Sequence, residues 1–184
     1  MRKVILSLGM SLDGYISRLD GSVDFLFMPS EYSAAGFFSG IDTLVMGRKT
    51  LEAGLRMSGG RFQNIQSMGA EAFVFSRTMP SGRRNGFTFT RQSPAALAAR
   101  LRRREGKDIW LMGGGELALE FFKADLVDEI YLGIVPVLLG EGIPLFLRGH
   151  PQLDMELIEC RSYSRGLVSL RYSRKRKAKK TAKV

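Results

Sequence analysis

Two glycine-rich phrases more than sixty residues apart carry the most readable chemistry of this chain: Met46-Gly47-Arg48-Lys49-Thr50 and Leu111-Met112-Gly113-Gly114-Gly115-Glu116-Leu117-Ala118. Each follows an apolar run that reads as a buried strand, residues 41–46 and 108–112, and each opens a stretch of helix-forming residues. A strand, a glycine and a helix start together make an anion site. Glycine lets the backbone come close, and the first helical turn offers unpaired N–H groups with the positive end of the helix dipole behind them. Two such sites in one domain suit a ligand with two phosphates. The competing reading is an ordinary strand-to-helix turn at each place, where glycine serves conformation alone. Gly113-x-Gly115-x-x-Ala118 also satisfies the dinucleotide fingerprint, but a Rossmann domain carries it at its first strand, with an acidic residue about 20 positions on. Here the phrase falls late, and Asp125, Asp128 and Glu129 come early, so the match does not imply a Rossmann fold.

The elements that must hold these turns alternate along the chain. Residues 2–10 read as a strand, 30–38 as a short helix, 41–46 as a strand and 49–56 as a helix, with a glycine-rich polar loop at 57–69. Strands at 72–75 and 86–89 precede a helix at 94–104 capped by Ser93. A strand at 108–112, a helix at 116–124 and a strand at 127–135, ended by Pro136, follow. Two last apolar or alternating runs, 155–163 and 167–172, flank Ser164-Arg165-Gly166 as a hairpin turn. The expected class is a single α/β domain: a mostly parallel sheet flanked by helices, with an antiparallel C-terminal hairpin.

Composition bounds the rest. A chain of 184 residues, 45% hydrophobic, is one domain with a sizeable core. No run approaches the ~20 apolar residues that span a bilayer. The first residues read as a strand and not as a signal peptide, and the lone Cys160 cannot form an internal disulfide; both fit the cytoplasm. With His150 as the only histidine, histidine-based metal sites and serine–histidine triads are not expected.

A formal net charge of +10 looks like a nucleic-acid signal until it is located. Arg174, Lys175, Arg176, Lys177, Lys179, Lys180 and Lys183 place seven positive charges in residues 174–184, leaving +3 for residues 1–173. The expectation is a folded domain over 1–173 and a disordered basic tail over 174–184, which is either simply solvated or weakly attracted to nucleic acid and anionic surfaces.

Five phrases in order resemble the dihydrofolate-reductase-like superfamily: Ser11-Leu12-Asp13-Gly14-Tyr15-Ile16, the Met46-Gly47-Arg48-Lys49-Thr50 turn, Phe75-Ser76-Arg77, Met112-Gly113-Gly114-Gly115-Glu116, and Pro136-Val137-Leu138-Leu139-Gly140-Glu141-Gly142. They are most similar to the branch containing the C-terminal reductase domain of bifunctional riboflavin-biosynthesis deaminase/reductases, over roughly residues 2–172. The resemblance implies a dihydrofolate-reductase-like three-layer fold, NADPH as cofactor and a homodimer. It implies that Gly47, Arg48, Lys49 and Thr50 bind dinucleotide phosphates, that Ser76 and Arg77 hold the adenosine 2′-phosphate, and that Gly113, Gly114, Gly115 and Glu116 approach the pyrophosphate and nicotinamide. A guanidinium at Arg77 suits bidentate phosphate recognition and favours NADPH over NADH.

On the acceptor side the resemblance implies roles for Asp13, Ser11 and the 138–142 loop, including Leu138 and Gly140, whose backbone N–H groups are expected to meet a substrate phosphate. Asp13 in an Asp-Gly turn has a purely local use as well. Glu31 lies near the single pocket carboxylate of dihydrofolate reductases, which implies a proton relay or a ligand for a pterin-type amidine; a helix-capping acid beside Ser30 is the other reading. The tryptophan expected just upstream in many dihydrofolate reductases is missing, since the one tryptophan is Trp110. The activity implied is NADPH-dependent reduction of a ribosylaminopyrimidine, as in 5-amino-6-(5-phosphoribosylamino)uracil reductases. Reduction of dihydrofolate or another C=N compound is the alternative. A catalytically silent fold that binds nucleic acid through its tail is a third reading, from a different class.

Overall fold

The computed structural model describes residues 1–57 and 69–176. The loop expected at 57–69 lies almost wholly outside these, as does the tail beyond Arg176.

Nine strands make one sheet: β1 (Val4–Ser11), β3 (Ile41–Gly47), β4 (Glu71–Phe75), β5 (Gly82–Arg84), β6 (Phe87–Thr90), β7 (Asp108–Gly113), β8 (Glu129–Val135), β10 (Met155–Ser162) and β11 (Val168–Arg174). Their spatial order is β10-β11-β8-β1-β7-β3-β4-β6-β5. The six central strands, from β8 to β6, are parallel; β11 and β10 add antiparallel to one edge and β5 to the other. A second small sheet pairs β2 (Tyr15–Ser17) with β9 (Ile143–Pro144). Helices α1 (Ala35–Ser39), α2 (Arg48–Met57), α3 (Pro94–Arg102) and α4 (Gly115–Lys123) cover the faces.

Side chains alternate across a strand, so a sheet covered on both faces needs apolar residues at successive positions. Val4, Leu6, Val45, Phe73, Ile109 and Leu111 pack on one face with Leu97, Ala98 and Leu101 of α3 and Ala118, Phe121 and Phe122 of α4. Their neighbours Ile5, Leu44, Met46, Ala72 and Val74 pack on the other with Leu51 of α2, where Phe37 of α1 and Trp110 also lie. The three layers and mostly parallel sheet expected from the sequence are therefore present.

Several local expectations are corrected. The helix expected over 30–38 is confined to Ala35–Ser39, which leaves Glu31 in the preceding turn. That stretch includes Ser33, Ser39 and a Gly36-Gly40 pair, and the helix has no side-chain cap. The helix at 94 keeps its cap, Ser93 Oγ accepting from the Ala96 N–H at 3.2 Å, but closes at Arg102. The chain is ordered one step past the expected domain end: β11 runs to Arg174, whose N–H reaches Asp128 O at 2.9 Å. Arg174 pairs with Asp125, and Arg176 with Asp125 and Asp128.

Candidate active site

The parallel register sets the site. Ser11 pairs with Val135, so β1 and β8 end level with each other; Met46 pairs with Gly113 and Gly47 with Phe75, so β7, β3 and β4 end level as well. Leu6 pairs with Leu111, which carries β1 and β8 about three residues, roughly 10 Å, beyond the end of β7. Across the sheet β8 and β4 are four strand spacings apart, roughly 19 Å. After β3 the chain turns into α2 on one face and moves outward to β4. After β7 it turns into α4 on the other face and moves across β1 to β8. Adjacent strands whose connections diverge leave a crevice at their C-terminal ends, the usual ligand position in open α/β sheets. The two glycine turns flank that crevice.

They also touch. Thr50 Oγ1 lies 3.6 Å from where a Cβ on Gly114 would stand, and Gly47 lies beside Gly113. The Gly113–Gly114 peptide is cis. Gly115 opens α4 against the loop carrying β9: a Cβ there would sit 2.5 Å from Pro144 O and 3.2 Å from Leu145 O. Glycine is needed at 115 for that close approach, whatever its part in ligand binding. Both helices present first-turn N–H groups to the crevice, with Gly114 as the N-cap of α4.

Cationic groups gather on the β3–β4 side. Arg48 pairs with Glu52 one turn on, and Lys49 is exposed. Ser76 is buried and closes the turn after β4, its hydroxyl accepting the Met79 N–H at 2.9 Å. Arg77 is 92% exposed and spans to Glu116 in the first turn of α4, Nη2 to Oε2 at 3.2 Å. These residues fit a phosphorylated dinucleotide: open backbone at Gly114, two helix starts, and an exposed guanidinium one strand beyond. The Arg77–Glu116 pair has no sequence signal, because 39 residues separate its members.

On the β1–β8 side the structure brings Ser11, Asp13, Leu138 and Gly140 together. Asp13 Oδ1 accepts the Ser11 hydroxyl at 2.6 Å; Oδ2 accepts the Leu139 and Gly140 N–H groups at 3.0 and 2.8 Å. The Ser11 hydroxyl hydrogen bond, then the two amides, hold the Asp13 carboxyl below its ordinary value. Two amides of the 138–142 loop therefore bond the Asp13 carboxylate. The pairing of β2 with β9, and the Leu145 N–H bond to Gly14 O at 3.0 Å, fasten the same two loops. Neither short strand was expected; two or three residues are too few to show a period.

Glu31 is not drawn into the glycine crevice. It is exposed, and its Oε1 accepts the Ser164 N–H at 2.7 Å in the turn between β10 and β11. Hydrogen bonds at Ser164 lower its pKa to about 2. Glu31 thus anchors the hairpin turn, which lies against Pro136 just past the C-terminal end of β8. Asp128 and Glu129 stand at the opposite end of the sheet: Asp128 takes Arg102, and the buried Glu129 takes Lys3 and Arg171. That location is why they cannot serve as the ribose acid of a dinucleotide fingerprint.

Comparison with known proteins decides the family. The family model described as the RibD C-terminal domain matches residues 2–169. The chain belongs to the RibD C-terminal domain family. The uncharacterized protein YyaP of Bacillus subtilis (strain 168) is 33% identical over 178 residues, covering 93% of this chain and 94% of the relative. YwjB of the same strain is 32% identical over 179 residues, covering 94% and 98%. Among solved structures, a putative riboflavin biosynthesis protein from Shewanella sp. PV-4 aligns with a TM-score of 0.77 at 29% identity, over 95% of this chain and 99% of that one. The bifunctional diaminohydroxyphosphoribosylaminopyrimidine deaminase/5-amino-6-(5-phosphoribosylamino)uracil reductase of Thermotoga maritima shares the fold at 12% identity and a TM-score of 0.67, over 94% of this chain and 56% of that one. Among the described residues no helix is long and apolar enough to cross a membrane.

Proposed function

We propose that this RibD C-terminal domain is an NADPH-dependent reductase acting on an aminopyrimidine-type acceptor, with a ribosylaminopyrimidine reduced at the carbon of its C–N linkage as the first candidate. One observation carries the reading: Gly47-Thr50, Gly113-Glu116 and Ser76-Arg77 close three neighbouring parallel strands around the point where their connections diverge. When bound, NADPH supplies the hydride.

The protein's part is placement. Gly114, Thr50 and the first turns of α2 and α4 would hold the dinucleotide phosphates, and Arg77, released from Glu116, the 2′-phosphate. Ser11 and Asp13 after the neighbouring strand β1, with Leu138 and Gly140 after β8 beyond it, would border the acceptor and fix its position relative to the cofactor. The cytoplasm and a homodimer belong to the same reading. The exposed Leu157 and Ile158 on edge strand β10 favour the dimer, and sedimentation of the wild type against Leu157→Asp checks it: a fall to monomer is expected.

The test is a titration of the purified protein with NADPH and with NADH, followed by quenching of Trp110, which lies on β7 three residues before Gly113. Tight NADPH binding with weaker NADH binding is expected. Binding of neither nucleotide contradicts the reading and leaves nucleic-acid binding through the tail as the alternative.

A further inference from the structure

Residues 77–104 hold eight arginines and no acidic residue. Four of the eight have partners elsewhere in the fold: Arg77 reaches Glu116, Arg102 reaches Asp128 and Arg104 reaches Glu71, while Arg100 lies over the Phe73 ring at 5.3 Å. Arg84 and Arg91 are used differently, on the main-chain carbonyls of one turn. Asn85 and Gly86, both left-handed with φ of 47° and 82°, fold β5 back antiparallel to β6. That hairpin carries Arg84 along Phe89, 5.9 Å from the ring centroid, to donate through Nη1 to Pro80 O at 2.8 Å. Arg91 follows β6 directly, and one edge of its guanidinium donates to two successive carbonyls, Nε to Met79 O at 3.2 Å and Nη2 to Thr78 O at 3.3 Å. An arginine that donates to neutral carbonyls keeps its whole charge, so three guanidiniums gather at this turn: Arg77 is presented to solvent, and Arg84 and Arg91 brace it.

The braced turn is the one that presents Ser76 and Arg77. The Ser76 N–H donates to Thr90 O at 3.2 Å and its hydroxyl accepts the Met79 N–H, which ties the turn to β6 and to itself. A carbonyl left free beside a phosphate repels it; here the Thr78, Met79 and Pro80 oxygens are each turned to a guanidinium. The Gly47-Thr50 and Gly113-Glu116 turns, which follow β3 and β7, would serve any dinucleotide, so whatever holds the 76–79 turn acts on the 2′-phosphate. We propose that Arg91 is a positioning residue for cofactor choice: forked across the Thr78 and Met79 carbonyls, it fixes the turn from which Ser76 and Arg77 meet a 2′-phosphate, with Arg84 as the second brace. The choice of NADPH rests on the reductase reading; the brace does not, and the two fail separately.

The full chain is titrated with NADPH and with NADH, by Trp110 quenching, as wild type and as Arg91→Met, which keeps an unbranched stem and loses the fork. NADPH affinity should fall about three- to tenfold, the worth of one or two hydrogen bonds, and NADH affinity should stay as it was. Arg83→Met removes the same charge from an exposed position on β5 and should leave both affinities unchanged. Arg91→Lys should restore only part of the loss, because an ammonium is a point donor and does not reproduce the parallel fork. Equal losses of NADPH and NADH in Arg91→Met, no loss of either, the same loss in Arg83→Met, or full restoration by lysine each overturn the proposal. The brace is read without any nucleotide. Amide hydrogen exchange at Met79 should quicken about threefold or more in Arg91→Met, with exchange at Val74 in β4 as in the wild type; unchanged exchange at Met79 overturns the brace. Binding of neither nucleotide by the wild type, with Met79 exchange as expected, overturns the cofactor reading and its specificity clause and leaves the brace standing.

Discussion

On the proposed reading, Arg77 and Glu116 are the residues at which cofactor choice would be decided. Arg77→Ala removes a charge-assisted hydrogen bond of ~1.5–3 kcal/mol, so NADPH affinity should fall about tenfold or more while NADH affinity barely moves. Equal losses for both nucleotides would place Arg77 elsewhere. Glu116→Gln is the opposite case, since it frees the guanidinium and removes a negative charge beside the α4 start; NADPH should bind about two- to fivefold more tightly, from roughly 0.3–1 kcal/mol of helix-terminus electrostatics. Glu31 speaks through pH instead. Its folded pKa of about 2 lies below the ordinary 4.5, so its carboxylate stabilises the fold fully above about pH 4.5, and that contribution is lost as pH falls towards 2. The gap in denaturant midpoint between wild type and Glu31→Gln should therefore be constant from neutrality to about pH 4.5 and close below it, and NADPH binding by the variant should be unchanged. These roles were only half legible. Arg77 was identified from its place after a strand, but its partner, and the hairpin amide that occupies Glu31, lie 39 and 133 residues away in sequence.

The contact between α4 and the β9 loop is a tight joint near the site. Gly115→Ala drives a methyl against Pro144 O, a rigid backbone atom, and should cost about 1–3 kcal/mol, as other overpacking does. Because the displaced loop follows the one held by Asp13, the NADPH titration should weaken along with thermal stability. Phe121→Ala, deeper in α4 and packed on Phe75, separates the two effects: it should cost about 3–5 kcal/mol, with NADPH affinity preserved in the folded fraction. Long elements were readable because both sheet faces are covered, which puts apolar residues at successive positions in the middle of β1, β3, β4 and β7. The elements that escaped, β2, β5 and β9, have two or three residues each and exist only through their partners.

At the scale of the molecule, the last described residues, up to Arg176, and the site lie at opposite ends of the sheet. β11 runs antiparallel to β8, so Arg174 stands beside the start of β8, and Arg102, Arg174 and Arg176 share Asp125 and Asp128 there. Removal of residues 177–184 should leave the melting temperature and the NADPH titration unchanged and abolish any salt-sensitive RNA retention. RNA binding that survives this truncation would assign the interaction to the folded domain. The cut has to follow Arg176, because ending at Tyr172 would strip Ser173 and Arg174 from their pairing with β8.

Sequence alone determined the class of fold, the strand–glycine–helix turns and the confinement of excess charge to the terminus. Each of these is a local property: periodicity, a special residue at a turn, a run of like charges. Tertiary structure alone decided that the two glycine turns adjoin, that Asp13 accepts the Leu139 and Gly140 amides, and that Glu31 anchors a hairpin. Those facts depend on parallel register and on contacts between residues up to 133 positions apart, which no local pattern encodes.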